Sequence, residues 1–336
     1  MRSKTPAKCV VYVASIMMCI VALSARADYN TSELAQAFIE RMVSEHDFER
    51  ESLQELFAAT EKKQGIIDAM NRPAEKTKTW AEYQTIFLRD NRIDGGVSFW
   101  QENAEALAHA EREFGVPAEY IVAIIGVETL YGRITGSHRV IDALSTLAFD
   151  FPRRSPFFTR ELEHYLLLTR EYAQDPLSHK GSYAGAMGYG QFMPSSFRSY
   201  AVDFDGDDLP DIWNNTTDAI GSVANYFARH GWQTGAQVVV RARPVEGFND
   251  DDLNSIQKPT VSLKSWKQQG LTPIEPLQES LVASALELEG KHGIEYWLGF
   301  NNFYVITRYN RSPMYALAVH QLAQTIYEKK QTEEAL

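Results

Sequence analysis

Glu128 lies in the run YIVAIIGVETLYG, residues 120–132, with Ile124 and Ile125 one helical turn behind it and Tyr131 nearly a turn ahead. A helix with a carboxylate on its apolar side calls for a reason, because burying an unpartnered charge is expensive. Apolar surroundings disfavour the ionised form and keep a glutamic acid protonated near neutral pH, the state that a general acid needs. Cleavage of a glycosidic bond requires such a group to protonate the departing oxygen. Gly126 and Gly132 bracket Glu128 and would keep bulk away from it, and Tyr131 offers a ring of the type that packs on sugars. The plainer reading is a structural carboxylate paired with Arg133, Arg153 or Arg154.

Two further stretches carry chemistry. In GSYAGAMGYGQFMPSS, residues 181–196, Gly181, Gly185, Gly188 and Gly190 would let backbone approach a ligand closely. Ser182 and Gln191 are of the type that bonds hydroxyl or acetamido groups, and Tyr183, Tyr189 and Phe192 are able to stack. The glycines match neither a phosphate loop nor the dinucleotide fingerprint. In DFDGDDLPDIWN, residues 203–214, Asp203, Asp205, Asp207 and Asp211 occupy positions 1, 3, 5 and 9 of a twelve-residue calcium loop. Leu209 would offer its carbonyl at position 7, and Asn214 falls at position 12. Asp208 replaces the usual glycine at position 6, and Asn214 replaces a bidentate glutamate, so a bound Ca²⁺ would be structural and held more weakly than in a sensor. A solvated acidic turn is the alternative. The eight histidines form no H-E-x-x-H zinc motif, and no G-x-S-x-G elbow is present.

The elements that must position these residues are mostly helical. Apolar residues recur at helical spacing in 32–60 as two helices, in 96–115 as one, and in 155–174, 217–232 and 315–330. Pro117 opens the Glu128 helix, and Thr216 or Thr217 is expected to cap the helix over 217–232. AQVVVRARPV, PTVSLKSW and NFYVITRYN read as strands from their β-branched content. The expected fold class is mainly α, with a helical core over 106–235 and a flanking helical domain of 28–105 joined by 311–330. A small β domain is expected over 236–310.

The chain has 336 residues, 44% of them hydrophobic, enough to bury a substantial core. Arg2, Lys4 and Lys8 precede an apolar run over 10–23 and then small residues at Ala25 and Ala27, the pattern of a secretory signal peptide over 1–27 cleaved after Ala27. Both cysteines, Cys9 and Cys19, lie in that leader, so the exported chain would have no disulfide, which suits a periplasmic location. Met18 before Cys19 argues against a lipid anchor. Loss of four basic and no acidic residues takes the formal charge from −11 to about −15, which argues against nucleic acid as a partner.

IIGVETLYG, FPRRSPFF, HKGSYAGAMGYGQFMPSSF, AVDFDGDDLPDIWN, DAIGSVANYFARHGW and ITRYNRSPMYALAV, in this order, resemble the lytic murein transglycosylase B family, with its membrane-bound and soluble members. The similarity runs from about Glu82 to Leu322. The resemblance implies cleavage of the β-1,4 bond between N-acetylmuramic acid and N-acetylglucosamine in peptidoglycan, with 1,6-anhydromuramyl ends and no water consumed. It implies a lysozyme-like helical core over 106–235, with Glu128 as the single acid/base. Ser182, Gln191, Arg153, Arg154, Tyr83, Tyr226, Tyr309, Asn310 and Tyr315 match substrate-binding positions. Asp203, Asp205, Asp207, Leu209, Asp211 and Asn214 match the calcium loop. No cofactor is needed for the chemistry beyond that structural Ca²⁺. Glycan strands are the implied partner of a monomer, together with cell-wall synthesis or division complexes. Phe157 departs from a usual tyrosine, Asn214 from an acidic residue, and the lipid-attachment signal of the membrane-bound members is missing. Two other readings stand beside this one: a lysozyme-like hydrolase using Asp142 or Asp150 as base, and a non-catalytic glycan binder.

Overall fold

Helix formation starts where short polar side chains satisfy the first free N–H groups. In the computed structural model, which describes residues 29–72, 78–248 and 253–335, Ser32 caps α1 (Glu33–His46) by accepting from Ala35 N. The proposed leader and its cleavage point at Ala27 lie outside the described residues. There follow α2 (Arg50–Ala58), α3 (Gln64–Met70), and α4 (Trp80–Phe87), which opens on a reciprocal Thr79–Glu82 capping box. Next come α5 (Asp90–Glu102), α6 (Ala104–Phe114) and α7 (Ala118–Thr129). The middle of the chain holds β1 (His138–Arg139), α8 (Val140–Asp150), α9 (Ser155–Glu171), β2 (Lys180–Gly181), α10 (Pro194–Tyr200) and α11 (Thr216–Arg229). The β part comprises β3 (Val239–Pro244), β4 (Val261–Ser262), α12 (Leu263–Gln269), β5 (Leu271–Pro273), β6 (Val282–Gly290) and β7 (Gly293–Gly299). α13 (Asn301–Tyr309) and α14 (Pro313–Glu334) return the chain to the helices.

α7 is apolar on nearly every side, as a central helix must be. Residues 120–126 are all buried, and α14, α5, α6 and α11 pack around them. The β part is an antiparallel sheet of order β4-β6-β7-β3-β5, with Leu286 opposite Trp297 in its central hairpin. Its own small core holds Val240, Leu263, Trp266, Leu271 and Leu298, apart from the large helical core.

Several elements differ from their sequence pattern. The helix expected over 96–115 is two, broken at Asn103, whose side chain donates to the Phe99 carbonyl at 2.8 Å. The cap of α11 is Asn215, neither Thr216 nor Thr217: its Oδ1 accepts from Thr217 N and Asp218 N. NFYVITRYN is helical, because Asn302 is buried and clamps Gln233 N, Gln233 O and Ala236 O, and because α13 packs on α14. Tertiary contacts there outweigh β propensity, which is a weak preference in any case. PTVSLKSW keeps only Val261–Ser262 as strand before α12 begins under a Ser262 cap.

Candidate active site

Glu128 is the penultimate residue of α7, and the chain turns sharply after it. Leu130, Tyr131 and Gly132 take left-handed φ values of 51°, 61° and 80°. This turn is held by Leu130 N to Gly126 O at 3.2 Å, by Tyr131 N to Ile125 O at 3.3 Å, and by Gly132 N to Thr129 Oγ1 at 3.0 Å. Thr129 Oγ1 also lies 2.9 Å from the Tyr189 carbonyl, which ties the end of α7 to the glycine-rich loop.

Tyr131 is not a sugar platform. It is buried against Phe99, and its hydroxyl donates to the Arg92 carbonyl at 2.7 Å. Nor do the flanking glycines leave space for a ligand. A Cβ on Gly126 would lie 2.5 Å from Tyr131 Oη, and one on Gly132 would lie 2.1 Å from the Tyr189 ring. The loop glycines likewise serve close packing within the protein: a Cβ on Gly188 would meet Ile212 O at 2.4 Å.

From α14, 187 residues further on, Tyr315 donates to Glu128 Oε1 at 2.5 Å. Desolvation first, and then the charge of Glu128, push the Tyr315 and Tyr309 phenols well above their ordinary range, so both remain hydrogen-bond donors. Tyr309 donates to Gly190 O at 2.6 Å and packs on Tyr226, whose own hydroxyl donates to Arg308 O at 2.7 Å. α13 and α11 are thereby joined to the loop over the cleft floor.

The cleft measures about 360 Å³, and Glu128, Ser182, Gln191, Tyr226, Tyr309 and Asn310 all line it. Gln191, at φ 51°, donates to Thr135 O and Gly188 O, so its remaining acceptor is Oε1. Ser182 Oγ accepts from Ala184 N and Ala186 N, which holds the loop in place. Tyr183, Phe192, Met193 and Ser196 complete much of the wall. Met193 and Ser196 were not singled out from sequence, although both fall in the glycine-rich stretch.

Four residues expected at the substrate do not line the cleft: Tyr83, Arg153, Arg154 and Tyr315, the last buried and bonded to Glu128. Tyr83 is buried against Trp80 and Phe87, close enough to Tyr315 to raise its phenol further. Arg153 and Arg154 are exposed and do not line the cleft; Arg154 stacks over Phe157 and Phe158. Asp142 is buried with Arg139 at 2.8 Å, while Asp150 pairs with Lys62 and accepts from Tyr29. Among the described residues that line the cleft, Glu128 is the only carboxylate.

The aspartate loop closes differently from the twelve-residue pattern. Asp203 Oδ1 accepts from Gly206 N at 2.7 Å, its Oδ2 accepts from Asp208 N at 2.8 Å, and Asp208 is left-handed at φ 72°. Asp203, Asp205, Asp207 and Asp218 each bring a carboxylate oxygen within 4.8 Å of the others. Asp218, in the first turn of α11, is fully buried and accepts from Phe204 N and Asp211 N. Burial first, with the charge of Asp205 adding to it, raises its pKa. Asp211 and Asn214 instead cap the turn, with Asn214 Nδ2 donating to Asp211 Oδ2 at 3.0 Å, and Leu209 N donates to Asp207 Oδ1. Four hard oxygen donors around one point, with no Lys or Arg paired to them among the described residues, fit a divalent cation. The sequence reading missed Asp218 because it lies four residues beyond the loop's nominal end.

A mainly helical core with one carboxylate at the mouth of a tyrosine- and amide-lined cleft is of the lysozyme-like class. The family model described as the Transglycosylase SLT domain matches residues 30–324. The chain is 44% identical over 308 residues to membrane-bound lytic murein transglycosylase B of Escherichia coli (strain K12), which spans 89% of this chain and 84% of that relative. Its fold is similar to the X-ray structure of catenated lytic transglycosylase SltB1 from Pseudomonas aeruginosa, with TM-score 0.87, 53% identity, and 90% and 100% of the two chains covered. It is also similar to Escherichia coli lytic transglycosylase Slt35 in complex with calcium, with TM-score 0.83, 44% identity, and 90% and 95% covered. The chain belongs to the lytic murein transglycosylase family and is a peptidoglycan-cleaving enzyme.

Proposed function

We propose that Glu128 is the single general acid/base of a reaction that breaks the β-1,4 bond between N-acetylmuramic acid and N-acetylglucosamine and leaves a 1,6-anhydromuramyl end. The observation that carries this reading is that Glu128 alone among the described cleft-lining residues bears a carboxylate. Hydrolytic glycosidases commonly need a second carboxyl group as nucleophile or to activate water. A muramyl C6 hydroxyl is already tethered to the reacting carbon, so proximity replaces the external nucleophile. Glu128 donates its proton to the departing glucosamine O4 as the C1–O4 bond breaks. The C1–O6 bond then forms as the O6–H bond breaks, and that hydroxyl proton passes to Glu128, which restores the acid. The substrate's 2-acetamido oxygen supports the cationic centre in between.

Tyr315 orients the carboxyl through Oε1 and supports the charge left on it. Ser182, Gln191, Tyr226, Tyr309 and Asn310 bind the sugars, with Gln191 Oε1 as an acceptor for an acetamido N–H. Tyr83 supports Tyr315, and Arg153 and Arg154 are assigned to glycan contacts by resemblance alone. Asp203, Asp205, Asp207 and Asp218 would hold Ca²⁺, which would pin the loop following the glycine-rich stretch to α11. Asp211 and Asn214 shape its far side. The substrate and the leader pattern place the proposed work in the periplasm. No helix among the described residues is long and apolar enough to cross a membrane. The protein is read as a monomer.

Glu128→Gln keeps the shape of the side chain and removes the transferable proton. It is expected to abolish release of muropeptides from purified sacculi while glycan binding persists. Release at the wild-type rate would falsify the assignment, and binding with no turnover in the unsubstituted protein would favour a non-catalytic binder.

A further inference from the structure

Arg92, on α5, is a residue that no motif singles out. Its Nη1 donates to the carbonyl of Gly126 and lies 3.3 Å from that of Val127. These carbonyls belong to the last turn of α7, where helix carbonyls run short of intrahelical donors; that of Gly126 also accepts from Leu130 N at 3.2 Å, and Glu128 follows them directly. A carboxylate at this end of a helix sits in the negative field of the aligned peptide dipoles, which opposes its ionisation. The half-buried guanidinium places a positive charge on that end, and it is near enough for the charge of Glu128 to help hold it protonated against desolvation. Its backbone carbonyl accepts the Tyr131 hydroxyl at 2.7 Å, which locks α5 to the left-handed turn after Glu128. Phe87 covers the guanidinium, 5.2 Å from its ring centroid.

We propose that Arg92 is a positioning residue for the acid/base: it occupies the carbonyls ahead of Glu128, cancels the field of the helix end, and supports the carboxylate that forms when the proton leaves. This rests on the reading of Glu128 as acid/base. Tyr315 from α14 and Tyr309 from α13 feel the charge of Glu128, and Tyr83 from α4 and Tyr226 from α11 act on those two phenols in turn. All four are phenols. Arg89 opposes the charge of Arg92, and Arg133 acts on Tyr131. Among these groups Arg92 is the cation whose charge reaches Glu128 directly.

The sign of the effect follows. A positive neighbour favours the ionised carboxylate, so its loss makes Glu128 hold its proton more tightly. Because turnover needs the protonated acid, the alkaline limb of the kcat profile moves to higher pH. Arg92→Gln retains a donor for the carbonyls but no charge, whereas Arg92→Lys retains the charge. For the glutamine variant the limb is expected to rise by more than about half a pH unit and kcat on the plateau to fall about tenfold, with KM within about twofold. For the lysine variant the limb stays in place. A fall in kcat with an unmoved limb in Arg92→Gln, or an equal displacement in Arg92→Lys, overturns the proposal. Thermal unfolding checks that both variants fold. Should the glutamine variant not fold, a displaced limb in the lysine variant still overturns it, and an unmoved one supports it. Turnover surviving in Glu128→Gln is a separate result, and it strikes the acid/base reading itself.

Discussion

One short hydrogen bond, from Tyr315 Oη to Glu128 Oε1, joins two residues 187 positions apart in the chain. A bond donated to a charged acceptor contributes about 1.5–3 kcal/mol. If it strengthens as the proton leaves Glu128, Tyr315→Phe lowers kcat about 10- to 100-fold and changes KM little. Steady-state kinetics on a soluble muropeptide oligomer measure this, and an unchanged kcat would remove Tyr315 from the reaction. Glu128 itself was legible as a carboxylate set among isoleucines. Tyr315 was not legible from pattern, because an aromatic on an apolar stripe looks like core; only the resemblance pointed to it. Arg92 was hidden for a similar reason. A lone arginine on an amphipathic helix reads as surface, and its meaning lies in two carbonyls of another helix.

At the scale of elements, the turn after Glu128 and the aspartate loop use the same device, left-handed backbone fixed by side-chain bonds. In that loop Asp203 gathers the N–H groups of residues 206–208, and buried Asp218 closes the ring of carboxylates from α11. Bringing like charges together and burying one of them is costly without a cation. A ligand bound only by the native state stabilises it by about 2.7 kcal/mol at a hundredfold excess over its Kd. Calcium is therefore expected to raise the melting temperature of chelator-treated protein, and Asp218→Asn to abolish the rise; a melting temperature indifferent to both calcium and chelator would contradict the site. The elements themselves were unevenly readable. Amphipathic helices such as α1 and α11 showed their period, whereas α8 buries residues 140–149 entirely, its polar Asp142, Ser145 and Thr146 included, and was not singled out. The β6–β7 hairpin, the backbone of the sheet, passed unnoticed beside more β-branched stretches, and α13 was read as a strand.

Across the whole molecule, the last helix is what makes the cleft one site. α14 lies against α7, α5 and α4 and brings Tyr315 to Glu128, so the last helix closes on elements from much earlier in the chain. The β part, with its own core, is inserted between α11 and α13, the two helices that supply Tyr226 and Tyr309 to the cleft. Such long-range closure is what local patterns leave open, since periodicity reports which face is buried and not against what. Nor does net charge explain how an acidic protein holds an anionic polymer; the lining instead offers neutral amides, hydroxyls and rings.

The central claim is that the sugar's own hydroxyl replaces water in a site with one carboxylate. Digestion of purified sacculi in ¹⁸O-labelled water, followed by mass spectrometry of the released muropeptides, tests it most directly. The account predicts muramyl ends about 18 Da lighter than hydrolysed ones, carrying no label. Reducing muramyl ends that contain ¹⁸O, produced by the enzyme with Glu128 intact, would contradict it.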